Sequence, residues 1–300
     1  MNTHFIKLEN NIDKIIKNDA DLFFQKIYIQ KNYNFEKNKT LIFNVFSELK
    51  TRLDNVNDES DGRGIISDFV NNFYINHSIE IEKIIKTFLI EKLNNDRIDN
   101  TISLLGKYMN YTWQDSFDGY EIIPTILPFS PFNNDVIFYS ILGYLSGQEK
   151  NDNAALITIV HEISHFILHD KINNNSDLQK IALPSLIYYL QEILTVVLLN
   201  QETIKKELTI NSYVGNPDID SLVVLYNNQE MKLTDFFSNL WNDSFENDLD
   251  GFLVVMIKTL NTILPELEKR HMLWSLHGFN LYKVESVFKE YTDPIIIDRY

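Results

Sequence analysis

Ala154-Ala-Leu-Ile-Thr-Ile-Val-His161-Glu162-Ile-Ser-His165-Phe-Ile-Leu-His169 is the stretch on which the reading of this chain turns. Its core is His-Glu-x-x-His, and the seven residues before His161 are apolar or small except for Thr158, which predicts a helix withdrawn from water. Four residues make one helical turn and a little more, so His161 and His165 share a face and can reach a single metal ion. Glu162 is turned about 100° from His161 around the axis, an offset suited to reaching a water on such an ion from the side.

The surroundings argue against coincidence. With seven His in 300 residues, a chance His-Glu-x-x-His arises on the order of once per hundred such chains. A solvated helix shows charge at every turn, whereas from Asn153 to His169 the polar groups inside the run are Thr158, Ser164 and the motif itself. Three ionisable groups in an apolar helix need partners, because burial without them is expensive. A zinc ion would supply that partner.

A second run, residues 181–201, contains a single charged residue, Glu192. Its neighbours one turn away are Tyr188, Tyr189, Thr195 and Val196, so it does not sit on a solvated stripe. A lone carboxylate in that setting must be neutralised, paired or bound to a metal. On residue type alone His169, Asp170, Glu202, Asp250, His271 and His277 also stand as third ligands. His169 is two turns from His161 on a continuous helix, too far to share one tetrahedral ion.

The motif helix resembles that of the zincin metallopeptidases, where an apolar residue stands two before the first His, uncharged residues fill the motif and apolar ones follow. Ile159, Ile163, Ser164, Phe166 and Ile167 comply. In the glutamate-ligand branch, the gluzincins, the third ligand is a Glu on the next helix, and Glu192 lies 27 positions past His165. The chain also looks like the ImmA/IrrE subgroup, in which another His often follows four residues on, here His169. It departs from that subgroup at Ser164, where Gly is common, and at Thr195, where Ala is usual. The resemblance covers these two helices. It implies one Zn2+ held by His161, His165 and Glu192, with Glu162 taking the proton of the zinc-bound water that attacks a peptide carbonyl, and hence a peptide or protein substrate. Late His or Tyr residues donate to the oxyanion in many such enzymes, and His277, Tyr213, Tyr188 and Tyr189 are the candidates. A different class of function also fits the motif: a metal-binding regulatory or interaction module on a zincin scaffold that hydrolyses little or nothing.

Composition bounds the alternatives. Three hundred residues, 44% hydrophobic, suffice for one large domain or two modest ones. A formal charge of −15 argues against nucleic acid or an anionic membrane as partner. With no Cys, any zinc must be held by His and carboxylates. The N-terminus lacks a basic start followed by an apolar core, and the least charged run contains Pro184, Gln191 and Glu192, so neither a signal peptide nor a membrane span is expected and a cytoplasmic location is.

Along the chain the apolar spacing predicts a mostly helical α+β protein: a helical lobe over 1–108, then a zincin-like domain over 109–300 with a small sheet, the motif helix, the Glu192 helix and further helices. Phe5, Leu8, Ile12, Ile15, Ile16, Leu22, Phe23 and Ile27 read as one amphipathic helix. Thr40 is the expected N-cap of a second, and residues 55–64 read as a loop. Residues 119–127 and 135–142 read as strands, the first demoted to an edge or a broken strand by Pro124 and Pro128; the zincin resemblance implies that the second is the substrate-pairing edge. Residues 170–177 read as a polar loop with Ser176 or Asp177 as cap, 210–226 as mixed, and 251–264 as a helix ended by Pro265.

Overall fold

The structure, a computed structural model, describes residues 5–30, 35–54, 56, 58–89, 93, 96–147, 153–245, 248–278, 280, 284, 286, 291 and 293–297. It is a predominantly helical α+β fold. By packing the chain falls into two compact units, one Met1–Asp99 with Ser116–Ile159, the other Asn100–Asp115 with Val160–Tyr300. Among the described residues no helix is long and apolar enough to cross a membrane.

The first unit opens with a strand, β1 (Ile6–Leu8), not with the helix expected from Phe5 onward. Asn11 then caps α1 (Ile12–Phe24) by accepting from the Asp13 and Lys14 N–H groups, and a π-helical turn, Gln25–Ile29, extends it. α2 (Phe35–Val45) contains Thr40 in its interior, so Thr40 caps nothing; α3 (Ser47–Leu53) follows. α4 (Glu59–Asn76) begins inside the expected loop, capped by Asp58, while Asn55 and Asn57 lie outside the described residues. Its glycine content had suggested a loop, but a Cβ at Gly62 would stand 2.6 Å from the Tyr28 hydroxyl. Close packing, not turn formation, is what that glycine provides. Phe23, Phe46 and Phe69 then stack between these helices at centroid distances of 5.3–6.4 Å. α5 (Ser78–Lys83) follows, and α6 (Asp96–Tyr108) begins in this unit and continues as residues of the second.

The sheet of this unit is β1, β2 (Tyr120–Thr125), β4 (Val136–Ser140) and β3 (Phe132–Asn133) in that spatial order, parallel except for β3. β2 is therefore interior despite Pro124. The Tyr120 N–H and the Ile122 carbonyl bond toward β1, and the Glu121 N–H and Thr125 carbonyl toward β4. By that alternation the missing N–H of Pro124 faces the β1 side, beyond the pairing of β1, which reaches only Ile122. A central strand tolerates proline where its neighbour has ended. β4 is likewise not an open edge, which corrects the substrate-pairing role expected of 135–142. Besides the β3 pairing, the Phe138 N–H donates to the Pro131 carbonyl and the Ser140 N–H to Ser130 Oγ, so residues 130–133 cover its outer side. α7 (Leu142–Leu145) and the start of α8 (Ala154–Asn173) close the unit.

In the second unit α8 runs four residues into the expected polar loop, and Asn175, not Ser176 or Asp177, caps α9 (Ser176–Ile181). A 3-10 turn, Pro184–Leu186, leads into α10 (Ile187–Leu199), which packs on α13 (Leu233–Leu240) and α14 (Leu249–Leu276). Between them lie α11 (Glu202–Leu208), α12 (Pro217–Asp220) and the hairpin β5 (Val223–Tyr226)–β6 (Gln229–Lys232), with β7 (Ile295–Ile296) parallel to β5. α14 does not stop at Pro265. Proline inside a helix costs about 3 kcal/mol, but Ile263, Leu264 and Leu267 are buried on either side of it, each contributing about 1.5–3 kcal/mol. Buried Arg270 donates to the Tyr291 and Asp293 carbonyls and fastens the C-terminal segment to this helix.

Candidate metal centre

α8 is buried on nearly all sides: Leu156, Ile159, Val160, Ile163, Ile167 and Leu168 are core residues, as the apolar run predicts. α10 is more so, with every residue from Ile193 to Leu199 buried. Against that background the exceptions are His161 and Glu162 at 9% exposure, His165 at 2% and Glu192 at 4%. All four belong to the second unit.

The two helices bring three of them together. The His161 and His165 rings stand 4.3 Å apart between centroids, as the one-turn spacing requires. His161 Nε2 lies 3.6 Å from Glu192 Oε2, and His165 Nε2 lies 4.0 Å from Glu192 Oε1. One donor atom from each residue falls within 4.8 Å of the others. These separations are too long for hydrogen bonds. They approach the roughly 3.3 Å between ligand atoms that bonds of 2.0–2.1 Å to a tetrahedral ion would set. The spacing is that of donors around a common centre.

The electrostatics suit the same purpose. Burial, with the neighbouring His165 ring, pushes His161 down to about 4 against the opposing pull of Glu162. Burial, then His169, pushes His165 down to about 3. Both rings are therefore neutral near pH 7 and keep a lone pair to offer. Burial pushes the Glu162 carboxyl up to about 7, with His161 pulling the other way. Its Oε2 stands 3.4 Å from His165 Nδ1, beside the donor group and not in it. Two neutral imidazoles and a carboxylate form a set that can hold a divalent metal ion.

Around the three donors is a ring of hydrogen bonds. Tyr213 Oη is 2.6 Å from His161 Nδ1, and Asn216 Nδ2 donates to Glu192 Oε2 at 2.9 Å. His169 Nε2 lies 3.0 Å from Gln191 Oε1, which places His169 outside the donor group, as its position on α8 predicts. Ser164 Oγ meets Thr195 Oγ1 at 2.5 Å, joining α8 to α10.

The other candidates lie elsewhere. The Tyr188 hydroxyl donates to Asp218 and that of Tyr189 to the Leu267 carbonyl. His271 stacks against Tyr188 and Trp274, while Asp250 pairs with Lys171 and Glu202 with Lys205. Asp170 accepts from Asn174, and His277 lies in the turn that ends α14, outside the convergent group. Nothing in the sequence points to Asn216, or to Asn200, which bonds the backbone of Tyr213. An amide in a loop carries no mark of its target, whereas Ser164 and Thr195 were visible as hydroxyls in apolar helices. Compared with models of known protein families, with curated proteins and with solved structures, the chain matches none.

Proposed function

We propose that the chain is a zinc-dependent metallopeptidase of the zincin type, in which His161, His165 and Glu192 hold one Zn2+ and Glu162 is the general base and acid. The observation that carries this reading is the approach of two neutral imidazoles and a carboxylate to a common centre, with a fourth ionisable group buried beside them. Nitrogen and oxygen donors without a thiolate suit zinc in a chain that has no Cys. Bound there, Zn2+ supplies Lewis acidity toward a water and polarises a carbonyl.

The chain's own part is proton transfer and exclusion of water. As carboxylate, Glu162 takes a proton from the water that attacks the peptide carbonyl; as carboxylic acid, it returns that proton to the leaving nitrogen when the C–N bond breaks. A group that must do both is best poised near the working pH, and burial brings Glu162 to about 7. The apolar residues of α8 and α10 around it keep bulk water from competing for that proton.

Glu162→Gln tests the assignment. Zn2+ content of protein purified without a metal-affinity tag should stay at one equivalent, while cleavage of denatured proteins or a peptide library falls about 10²–10⁴-fold. Retained cleavage overturns the role given to Glu162. A wild-type protein that holds zinc and cleaves nothing makes the chain a metal-binding module instead.

A further inference from the structure

We infer that the loop 210–216, pinned by Asn200, is the positioning element of the metal centre: Tyr213 sets the tautomer of His161 and Asn216 sets the carboxylate of Glu192. The inference rests on the metal reading above and deepens it.

The argument begins at the end of α10. Asn200 is its C-cap residue, and its Nδ2 donates to the Val196 carbonyl at 2.9 Å, one turn back. The same amide holds a residue 13 positions on from both sides: Nδ2 donates to the Tyr213 carbonyl at 2.8 Å and Oδ1 accepts from the Tyr213 N–H at 2.9 Å. Only an amide side chain both donates and accepts in one plane in this way. The helix that carries Glu192 thus fixes, through its own cap, the backbone of the loop that folds back toward Glu192.

The loop lies close against α10: a Cβ at Gly215 would stand 2.6 Å from Val196 Cγ2, so with a larger residue there either the Val196 side chain or the segment must shift. From that seat two side chains reach two different ligands. His161 turns Nε2 toward Glu192, so its proton belongs on Nδ1, where the Tyr213 oxygen is 2.6 Å away to accept it. An imidazole whose far nitrogen is so engaged presents the near lone pair in a fixed direction. Asn216 Nδ2, at 2.9 Å from Glu192 Oε2, does the same for the carboxylate, which would otherwise rotate. Tyr213 and Asn216 act through the ligands and are positioning residues. Asn200 acts through Tyr213.

Zn2+ affinity by chelator competition, read beside the melting temperature of the metal-free protein, tests this. Tyr213→Phe and Asn216→Ala should each weaken Zn2+ binding about 10–100-fold. Asn200→Ala, which touches no ligand, should weaken it too, and the Asn200→Ala/Tyr213→Phe double variant should bind no worse than the weaker single one. Val214→Ala, in the same loop but 59% exposed, should bind as the wild type does. A structural role alone would lower the melting temperature and leave the affinity of the folded fraction unchanged, and that result overturns the inference. If Tyr213→Phe does not fold, Asn216→Ala and Asn200→Ala decide by the same readout. Wild-type protein that binds Zn2+ with all three variants binding equally tightly defeats the loop's role alone. Wild-type protein that binds none defeats the metal reading and the loop's role with it.

Discussion

Ser164 and Thr195 put hydroxyls where two apolar helices face each other, and the proton count there is tight. Ser164 Oγ is 2.6 Å from the His161 carbonyl and 2.5 Å from Thr195 Oγ1, which is itself 2.8 Å from the Gln191 carbonyl. Two hydroxyl protons cannot serve three contacts, and two oxygens at 2.5 Å need a proton between them. One hydroxyl therefore donates across the interface and the other donates back to its own helix. The carbonyls involved are those of His161, a proposed ligand, and of Gln191, the residue before the proposed ligand Glu192, so the bond ties the two helices at the turns that carry the donor group. Ser164→Ala and Thr195→Ala should each cost about 1 kcal/mol in urea unfolding. The double variant should cost less than their sum by a coupling of roughly 1 kcal/mol. Additive costs would show that the two hydroxyls act separately.

Elements differ in how far their residues announce them. α8 and α10 are legible because each is long, apolar and interrupted by few polar groups. β1 was read as helix because Phe5, Leu8 and Ile12 fall at helical spacing; three residues are too few to show period two, and parallel pairing with β2 decides the matter. The opening of α4 was read as a loop because glycine and acidic residues mark loops in general, whereas here Tyr28 needs the space at Gly62. The β5–β6 hairpin carries a local signal in Asn227-Asn228, which at φ 50° and 61° forms the two-residue turn such pairs favour. A long-range tie is what sequence shows least. Asp19, buried in α1, accepts from Thr125, from the Ile126 N–H at 2.9 Å and from Tyr74 at 2.7 Å, joining α1 to the end of β2 and to α4. Burial pushes its carboxyl up to about 6 from the usual 3.8, and the three donors keep it from rising further. A pKa raised on folding adds stability that is full below the unfolded value and fades as pH rises through the folded one. The window is thus about 3.8–6, and the wild type should gain up to about 3 kcal/mol as pH falls across it. Asp19→Asn removes the titration, so the stability of the wild type relative to this variant should rise by up to about 3 kcal/mol as pH falls from 7 to 4, most of it below pH 6. Parallel curves across that range would show that Asp19 does not titrate there.

For the whole molecule, charge complicates the test that matters most. A chain with 42 Asp and Glu against 27 Lys and Arg attracts any dication, so bound metal alone does not locate a site. Linkage separates specific from diffuse binding. An ion held only by the folded arrangement of His161, His165 and Glu192 stabilises by about 2.7 kcal/mol at a hundred times its dissociation constant. In a cooperative block of 150–250 residues each kcal/mol moves the melting temperature by about 2–4 °C, so the shift should be about 5–10 °C. Ions scattered over surface carboxylates also bind the unfolded chain and move it far less. His165→Ala removes one buried donor and leaves the surface charge untouched, because that ring is neutral at pH 7. It should therefore abolish the Zn2+-dependent shift at every salt concentration, while the small shift from diffuse binding fades as salt screens it. If His165→Ala melts with the same Zn2+-dependent shift as the wild type, the ion sits elsewhere on the molecule and the three converging donors are structural.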